Sequence, residues 1–390
     1  MNVLLTCLLL LFAPLAFAAQ LALWLLLWPA VALRLLSAQR LGWSPRRVSG
    51  SVWLHGASLG EWNALLPLVE RLGTVTCVGS YMSRNAQRAQ VAKGCTDQAV
   101  LPLDLWPAHL LRIWRWRPRT LVIAEVDLWP AWLIVVWACR VELVWVNARL
   151  DRSMGQVLAV VRSFYHRMLS RAVYIHAVDE ATEGNLRSWG YRVDAAGLNL
   201  KWARHGAQPG PGSALDSRTL LLASIHADES AVVQVAADWW RVDSAHRRVI
   251  VAPRQLSELP ELKALAEAMG GRDWEFVDRY GIMDAYYRRA GIVVVGGTFD
   301  DVGGHNPVEA AVYGAAVVCG PSVYGQLAGL ELLRRTGNVI EVCDAHGLRE
   351  WLLRDATMLR PTRELVAVLG RSAELADTVA ARVRAVSRYN

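Results

Sequence analysis

Short apolar runs, many of them rich in β-branched residues, alternate with longer helical patterns from residue 51 onwards. Runs of this kind are typical of strands buried in a parallel sheet, whereas a 3.6-residue apolar period indicates a helix. We therefore predict an α/β fold with two parallel, doubly wound sheets. The predicted strands are 52–55, 75–79, 120–125, 143–146, 173–177, 220–224, 249–251, 275–277, 292–295, 316–319 and 339–341. Helices are predicted near 60–72, 83–93, 107–115, 129–139, 153–170, 180–188 and 361–387.

A glycine- and proline-rich stretch at 205–213 interrupts this pattern, which then restarts. Such a stretch is typical of a linker between domains. We therefore predict an N-terminal Rossmann-like domain at 46–204 and a C-terminal Rossmann-like domain at 214–390. Parallel α/β domains bind ligands at the carboxyl ends of their strands, so we expect the two domains to face a shared cleft.

The first 33 residues are almost entirely apolar, and residues 2–33 contain no acidic, basic or histidine side chain. A bilayer core needs about 20 apolar helical residues, so residues 1–45 are predicted to form a membrane anchor with a basic flank. The alternative is a cleaved signal peptide, because Ala16-Phe17-Ala18 resembles a cleavage site. Against cleavage, no basic residue precedes the run, and the run continues well beyond that site. The arginines that follow place the body of the chain in the cytoplasm.

The charge distribution and the cysteine content argue against several classes of protein. The formal net charge is +7, and the first 60 residues hold four arginines and no acid. The rest of the chain is nearly balanced, which argues against a nucleic-acid-binding protein. The six cysteines form no C-x-x-C pair, so neither a zinc site nor a disulfide framework is predicted.

The first candidate for chemistry is Ser58-Leu59-Gly60-Glu61, directly after a predicted strand. Ser58 and Glu61 have the spacing of a helix capping box. Glu61 also lies at the carboxyl edge of the predicted sheet, where a carboxylate can accept a proton from a substrate hydroxyl. The local pattern leaves both interpretations open.

The second candidate is a glycine-rich stretch with Gly296-Gly297 at a strand end and Gly303-Gly304 before Asn306, Pro307 and Glu309. Glycines let a ligand approach the backbone, while Asn306 and Pro307 suit the start of a helix. Backbone amides at a helix start attract phosphate, so we predict phosphate binding here. Glu309 is predicted either to cap that helix or to bind a ribose diol.

Further polar residues follow other predicted strands. Ser224, His226 and Arg254 follow strands of the second domain, and Arg254 can pair with phosphate or be a solvated loop residue. Glu125 and Asp127, with Arg149 one strand later, define either an acceptor pocket or a structural ion pair. His55, His176 and Trp189 are predicted to be packing residues.

In this order the motifs resemble the 3-deoxy-D-manno-octulosonic acid (Kdo) transferase family over residues 51–345. The resemblance rests on His55-x-x-Ser58-x-Gly60-Glu61, Glu125-x-Asp127-Leu128-Trp129-Pro130, Asn147-Ala148-Arg149-Leu150, Asn199-Leu200-Lys201, Pro253-Arg254, Gly303-Gly304-His305-Asn306-Pro307-x-Glu309 and Gly320-Pro321. It implies a GT-B glycosyltransferase at the cytoplasmic face of the inner membrane. Such an enzyme moves Kdo from CMP-Kdo to a lipid A precursor, inverting the anomeric centre without a metal or other cofactor.

The resemblance also implies residue roles. Glu61 would be the catalytic base. The donor would contact Ser224, His226, Arg254, Gly296, Gly297, Gly304, Asn306 and Glu309, the last through the ribose. The acceptor would contact Ser58, Gly60, Arg88 and Glu125.

The chain departs from the family pattern at several pocket positions, including Ile225 and Gln255. These departures motivate two alternatives: a divergent glycosyltransferase that uses another nucleotide sugar, and an inactive relative that binds a glycolipid or a partner protein.

Overall fold

The structure is a computed structural model that describes residues 3–49, 51–83, 94–150, 159–204, 215–324, 326–354 and 362–388. It divides into two compact units. The first unit contains Met1–Arg204 and Arg371–Asn390, and the second contains His205–Gly370. The predicted linker 205–213 lies outside the described residues, as do residues 84–93 of the predicted helix 83–93, Arg88 among them.

The first unit contains a six-stranded sheet in the order β3-β2-β1-β4-β5-β6, and every pair of neighbouring strands is parallel. This is the doubly wound order of a Rossmann-like fold. Its strands are β1 Ser51–His55, β2 Cys77–Tyr81, β3 Cys95–Val100, β4 Pro118–Ala124, β5 Glu142–Ala148 and β6 Tyr174–Ala177. Its helices after the N-terminal segment are α3 Leu59–Leu72, α4 Trp106–Trp116, α5 Pro130–Ala138, α6 Ala159–Leu169 and α7 Glu180–Ser188.

The second unit repeats this architecture with a six-stranded parallel sheet in the order β12-β11-β10-β7-β8-β9. Its strands are β7 Asp216–Ile225, β8 Arg248–Pro253, β9 Glu275–Phe276, β10 Ala290–Val295, β11 Ala316–Cys319 and β12 Ile340–Glu341. Its helices are α8 Ser230–Arg241, α9 Leu259–Ala268, α10 Met283–Tyr287, α11 Val308–Ala311, α12 Leu327–Arg335 and α13 Ala345–Arg354, and α14 Arg363–Arg388 follows. The predicted fold class is confirmed.

Two features differ from the sequence prediction. Strand β3 was not predicted, because Cys95–Val100 has the mixed sequence CTDQAV and the half-buried pattern of a sheet edge. The last helix was assigned to the C-terminal domain, but its residues from Arg371 onwards belong to the first unit. There Leu375, Val379 and Val383 are buried in a core cluster with β1 and α3 side chains.

The central strands are apolar over most of their length because helices cover both faces of each sheet. Strand β4, for example, is buried from Thr120 to Ala124. One core cluster of the first unit contains four wholly buried tryptophans, Trp53, Trp116, Trp132 and Trp145. Trp53 packs against Trp116 and Trp132 with ring centroids 5.3 and 5.0 Å apart.

The N-terminal segment is helical, with α1 at Val3–Leu26 and α2 at Trp28–Ala32. Pro14 lies inside α1 and does not end it. Among the described residues, 14–32 form one helical stretch long and apolar enough to cross a membrane. This stretch contacts the first sheet's helices: Trp106 at the start of α4 donates hydrogen bonds to Phe17 O and Gln20 Oε1, both at 3.0 Å.

Candidate active site

Glu61 occupies the first turn of α3, immediately after β1 in the middle of the first sheet. Ser58 is the N-cap, and its hydroxyl accepts a hydrogen bond from Glu61 N at 3.2 Å. The Glu61 carboxylate in turn accepts from Ala57 N at 2.7 Å and from Ser58 Oγ at 3.0 Å. The predicted reciprocal cap is therefore present, with Ala57 rather than Ser58 as the backbone donor.

The Glu61 carboxylate is partly buried as well as hydrogen-bonded, and its pKa is shifted. Burial raises its pKa, and the nearby carboxylate of Glu125 raises it further, while the hydrogen bonds from Ala57 and Ser58 oppose this shift. A carboxylate with a raised pKa is a stronger base. Capping and proton abstraction are compatible, since each carboxylate oxygen accepts one hydrogen bond and retains further lone pairs.

Glu125 follows β4 and is held by a cation that the site prediction did not include. Lys201 Nζ lies 2.6 Å from Glu125 Oε1, and Arg149 Nε lies 3.8 Å from Glu125 Oε2. A Cβ placed on Gly60 would lie 3.9 Å from Lys201 Nζ, so the ammonium lies beside the first turn of α3. Glu125, Lys201 and Glu61 therefore form one cluster at the carboxyl edge of the first sheet.

The side chains of two asparagines hold the backbone around Lys201 in position. Asn147 Nδ2 donates to Asn199 Oδ1 at 2.7 Å, and Asn147 Oδ1 accepts from Leu200 N at 3.0 Å. Asn199 Oδ1 also accepts from Lys201 N at 3.0 Å. Both asparagines are buried, so these bonds fix the backbone that carries the lysine. In the sequence, Asn147 and Asn199 are recognised only as parts of family motifs. Their contact cannot be read from local spacing, because it joins segments more than 50 positions apart.

In the second unit the glycine-rich stretch packs directly against β7. A Cβ on Gly296 would lie 2.3 Å from Ser224 O, and one on Gly297 would lie 3.1 Å from His305 Nε2. The loop closes on itself through Gly304 N to Gly297 O at 2.6 Å. Gly297 and Gly304 have positive φ of 69° and 81°, which glycine adopts without strain. The sequence predicted that these glycines let a ligand approach, whereas the close neighbours in the structure are β7 and His305.

The helix after this loop starts one residue later than predicted and is short. Pro307 is the N-cap and α11 spans only Val308–Ala311. Asn306 still caps it, because its Oδ1 accepts from Val308 N at 3.2 Å. Glu309 Oε1 accepts from Asn306 Nδ2 at 3.2 Å, so these two side chains are in contact.

His226 and His305 lie in contact beside the loop. Their Nε2 atoms are 3.0 Å apart and their rings are stacked with centroids 5.2 Å apart. His226 Nδ1 lies 3.4 Å from Glu258 Oε1. Burial lowers the pKa of His305 to about 4, and the positive charge of Arg254 contributes. A neutral His305 is consistent with this contact, because one of the two facing nitrogens must accept a hydrogen. Arg254 is exposed, and its backbone N donates to Ile225 O at 2.9 Å.

Glu229 is a buried carboxylate that organises this loop and was not predicted. It is 3% exposed and accepts from His226 N at 3.0 Å and Phe299 N at 3.1 Å, as well as from the backbone of Gly297. Burial raises the pKa of Glu229, and these three backbone bonds oppose the shift. The carboxylate therefore ties the start of α8 to the glycine loop.

Three non-glycine residues with positive φ mark the carboxyl ends of strands: Glu125 at 59°, Asn147 at 48° and Ser224 at 58°. Such conformations cost about 1–3 kcal/mol each and cluster at functional sites. The predicted residues thus divide between two clusters. Ser58, Gly60, Glu61 and Glu125 lie together in the first unit, while the second unit brings together Ser224, His226, Arg254, Gly296, Gly297, Gly304, Asn306 and Glu309.

The fold resembles that of solved structures with two Rossmann-like domains. A UDP-N-acetylglucosamine 2-epimerase from Listeria monocytogenes is 13% identical with a TM-score of 0.55, covering 88% of this chain and 98% of that protein. A second UDP-N-acetylglucosamine 2-epimerase is also 13% identical, with a TM-score of 0.53, covering 87% of this chain and 94% of that protein. These likenesses show the fold alone, which is GT-B.

Comparison of sequences bears on the family as well as on the fold. Residues 37–204 match the family model described as 3-deoxy-D-manno-octulosonic-acid transferase. The 3-deoxy-D-manno-octulosonic acid transferase of Aquifex aeolicus is 26% identical over 313 residues, which cover 77% of this chain and 84% of that protein. The enzyme of Bordetella pertussis with the same name is 25% identical over 355 residues, covering 80% of each.

The chain is therefore a glycosyltransferase of the GT-B fold. Its resemblance to the Kdo transferase family, drawn from its motifs, is confirmed by the match over residues 37–204 and by these relatives. The resemblance supports Kdo transfer in lipopolysaccharide biosynthesis.

Proposed function

We propose that this chain transfers Kdo from CMP-Kdo to a sugar hydroxyl of a lipid A precursor, with inversion and with Glu61 as the base. The observation that carries the proposal is the Glu61 carboxylate itself. It lies at the carboxyl edge of the first sheet and its pKa is raised by burial, which suits proton abstraction from an alcohol. The family of the chain and the names of its relatives support Kdo as the sugar that is moved.

In the proposed reaction the acceptor oxygen attacks the anomeric carbon of Kdo while its proton moves to Glu61. The bond from that carbon to the phosphate oxygen breaks, and CMP leaves with the electron pair. Lys201 would balance negative charge in this cluster, because it pairs with Glu125 and lies beside Gly60. Ser58 would keep the carboxylate oriented through its hydroxyl. Arg88, also proposed as an acceptor contact, lies outside the described residues.

The donor is proposed to bind at the glycine loop of the second unit. Arg254 and His226 supply charged or polar groups for the phosphate of CMP. Gly296 and Gly297 let the loop pack closely against β7 and His305, which places it beside these groups. Because α11 has only four residues, its dipole contributes little, and loop amides and side chains would provide most of the binding. Glu309 is proposed to bind the ribose.

We also propose that the chain resides at the cytoplasmic face of the inner membrane. The apolar stretch 14–32 is long enough to cross a bilayer, and four arginines follow it. Arg34, Arg46 and Arg47 are exposed and can contact anionic headgroups at about 1 kcal/mol each. Arg40 is half-buried and donates to Leu101 O at 3.2 Å, and the exposed Arg46 donates to Thr96 O at 2.6 Å, so both also contribute to the fold.

The test is transfer of Kdo from CMP-Kdo to a lipid A precursor by the purified full-length protein in detergent, with the product mass measured. The wild type should form the Kdo-containing product, and Glu61→Gln should lose about 10²- to 10⁴-fold in rate. Glu183→Gln is the matched control, since Glu183 pairs with Arg187 on the surface of α7. Absence of product with folded wild-type protein, or full activity of Glu61→Gln, would overturn the proposal.

A further inference from the structure

His55 ends β1 and is wholly buried, yet both of its ring nitrogens have polar partners. Nδ1 lies 2.7 Å from Ser80 Oγ, and Nε2 lies 2.8 Å from Asp127 Oδ2. The sequence predicted only packing for this histidine. Packing is part of its role, because its ring meets Trp132 edge-on at 4.9 Å between centroids.

The neighbouring groups fix which nitrogen of His55 carries the hydrogen. Trp53 Nε1 lies 2.7 Å from Ser80 Oγ, and an indole N–H can only donate. Ser80 Oγ accepts that bond, so its own hydrogen is available to donate to His55 Nδ1. His55 then carries its hydrogen on Nε2 and donates it to Asp127. This assignment gives every atom in the chain of hydrogen bonds a partner.

A second histidine–aspartate pair that also contacts Trp132 provides a contrast. His109 Nε2 lies 3.3 Å from Asp104 Oδ1, and the His109 ring stacks on Trp132 at 5.9 Å between centroids. The Asp104 carboxylate also accepts from the backbone N of Ala131 and of Trp132, at 3.1 and 3.0 Å. Asp104 therefore caps α5, which is a structural role.

Asp127 has no such role. Within the described ranges its carboxylate contacts His55 and receives no backbone N–H, and its side chain is 17% exposed. It lies two residues after Glu125, on the turn that Lys201 holds beside the first turn of α3. A carboxylate that is fixed by a protein hydrogen bond and is partly exposed is suited to accept a further hydrogen bond from a ligand.

We propose that Asp127 is a further carboxylate of the acceptor site, which binds a hydroxyl group of the acceptor sugar, and that His55 is its positioning residue. This inference rests on the proposed function and deepens it. His55 acts through its Nε2–H, which holds one oxygen of Asp127 and leaves the other for the sugar. It does not exchange a proton with the substrate.

The two amides that can replace His55 separate this role from a packing role. In His55→Gln the amide nitrogen falls near the position of Nε2 and can still donate to Asp127. In His55→Asn the shorter side chain reaches only towards Ser80. Both variants are buried and polar, so a purely structural role would affect them alike. Asp127→Asn removes the carboxylate while preserving its size.

The experiment measures kcat and both KM values for Kdo transfer by the full-length protein. We expect His55→Asn and Asp127→Asn to raise the acceptor KM about tenfold, the effect of losing a charge-assisted hydrogen bond. We expect kcat and the donor KM to stay within about threefold, and His55→Gln to restore most of the acceptor affinity. His109→Leu is the matched control and should leave the acceptor KM unchanged.

The outcomes separate this inference from the proposed function. If the wild type transfers no Kdo, the proposed function fails. If the wild type is active while Asp127→Asn leaves the acceptor KM unchanged, the inference alone is overturned. Equal effects of His55→Asn and His55→Gln, or an equal effect of His109→Leu, would also overturn it in favour of packing.

Discussion

Alanine in place of Gly296 is expected to destabilise the second unit and to weaken nucleotide binding there. The added Cβ would lie 2.3 Å from Ser224 O and 2.6 Å from Ile225 Cα, whereas Cβ atoms essentially never approach a non-bonded heavy atom within 3.0 Å. Both neighbours are backbone atoms of β7, so no side chain can turn away to make room. Relief requires a shift between β7 and β10, the two central strands of the sheet.

The size of the effect follows from this contact. Overpacking of a well-packed interior costs about 1–3 kcal/mol, and we expect the upper end because the backbone must move. In a domain of this size each kcal/mol lowers the melting temperature by about 2–4 °C, so the loss should be about 6–12 °C. The displaced strand end carries Ser224 and precedes His226, so CMP affinity should fall as well.

Scanning calorimetry of the full-length protein and CMP titration below the transition measure both effects. Gly184→Ala is the control, because a Cβ at this position in α7 meets nothing within 4 Å. It should stabilise the first unit by about 0.5–1 kcal/mol. If Gly296→Ala melts within about 2 °C of the wild type and binds CMP equally well, the close approach of the loop to β7 is wrong.

Three further substitutions test buried or partly buried polar groups of the first unit. Glu61→Gln should raise the melting temperature near pH 7 but not near pH 4, as calorimetry would show. The reason is that burial raises the pKa of Glu61, so the stability it contributes is present below its unfolded pKa and is lost as pH rises through the folded pKa. Asn147→Leu removes the bonds to Asn199 and Leu200 N, and should lose about 3 kcal/mol in denaturant unfolding together with transfer activity. Arg112→Met should lose about 3 kcal/mol in the same assay, because the wholly buried guanidinium donates to three backbone carbonyls in residues 39–43. Unchanged unfolding midpoints would contradict the last two expectations.

The local parts of both sites could be predicted from the sequence. Ser58 and Glu61 lie on one turn, and Asn306 lies just before a helix, so their spacing alone indicates the two caps. The packing of Gly296 against β7 could not be predicted in this way. Contacts across the fold could not be predicted in this way. The pair of Glu125 and Lys201 joins residues 76 positions apart, and the pair of His55 and Asp127 joins residues 72 positions apart.

The sequence by itself determined the alternation of strands and helices, the parallel sheets and the positions of the polar residues at strand ends. It could do so because apolar runs and helical periodicity are local signals of burial. Only the tertiary structure decided which polar side chains meet, since strand order brings β1, β4 and β5 together although long stretches of chain separate them. The formation of β3 and the position of the end of α14 also depend on the tertiary structure. Strand β3 forms because it pairs with the edge of the sheet, and the end of α14 is placed by burial against the core of the first unit. The role of Glu229 also depends on the tertiary structure. A buried carboxylate is stable only where the fold places hydrogen-bond donors around it, here the backbone N–H groups of His226 and Phe299.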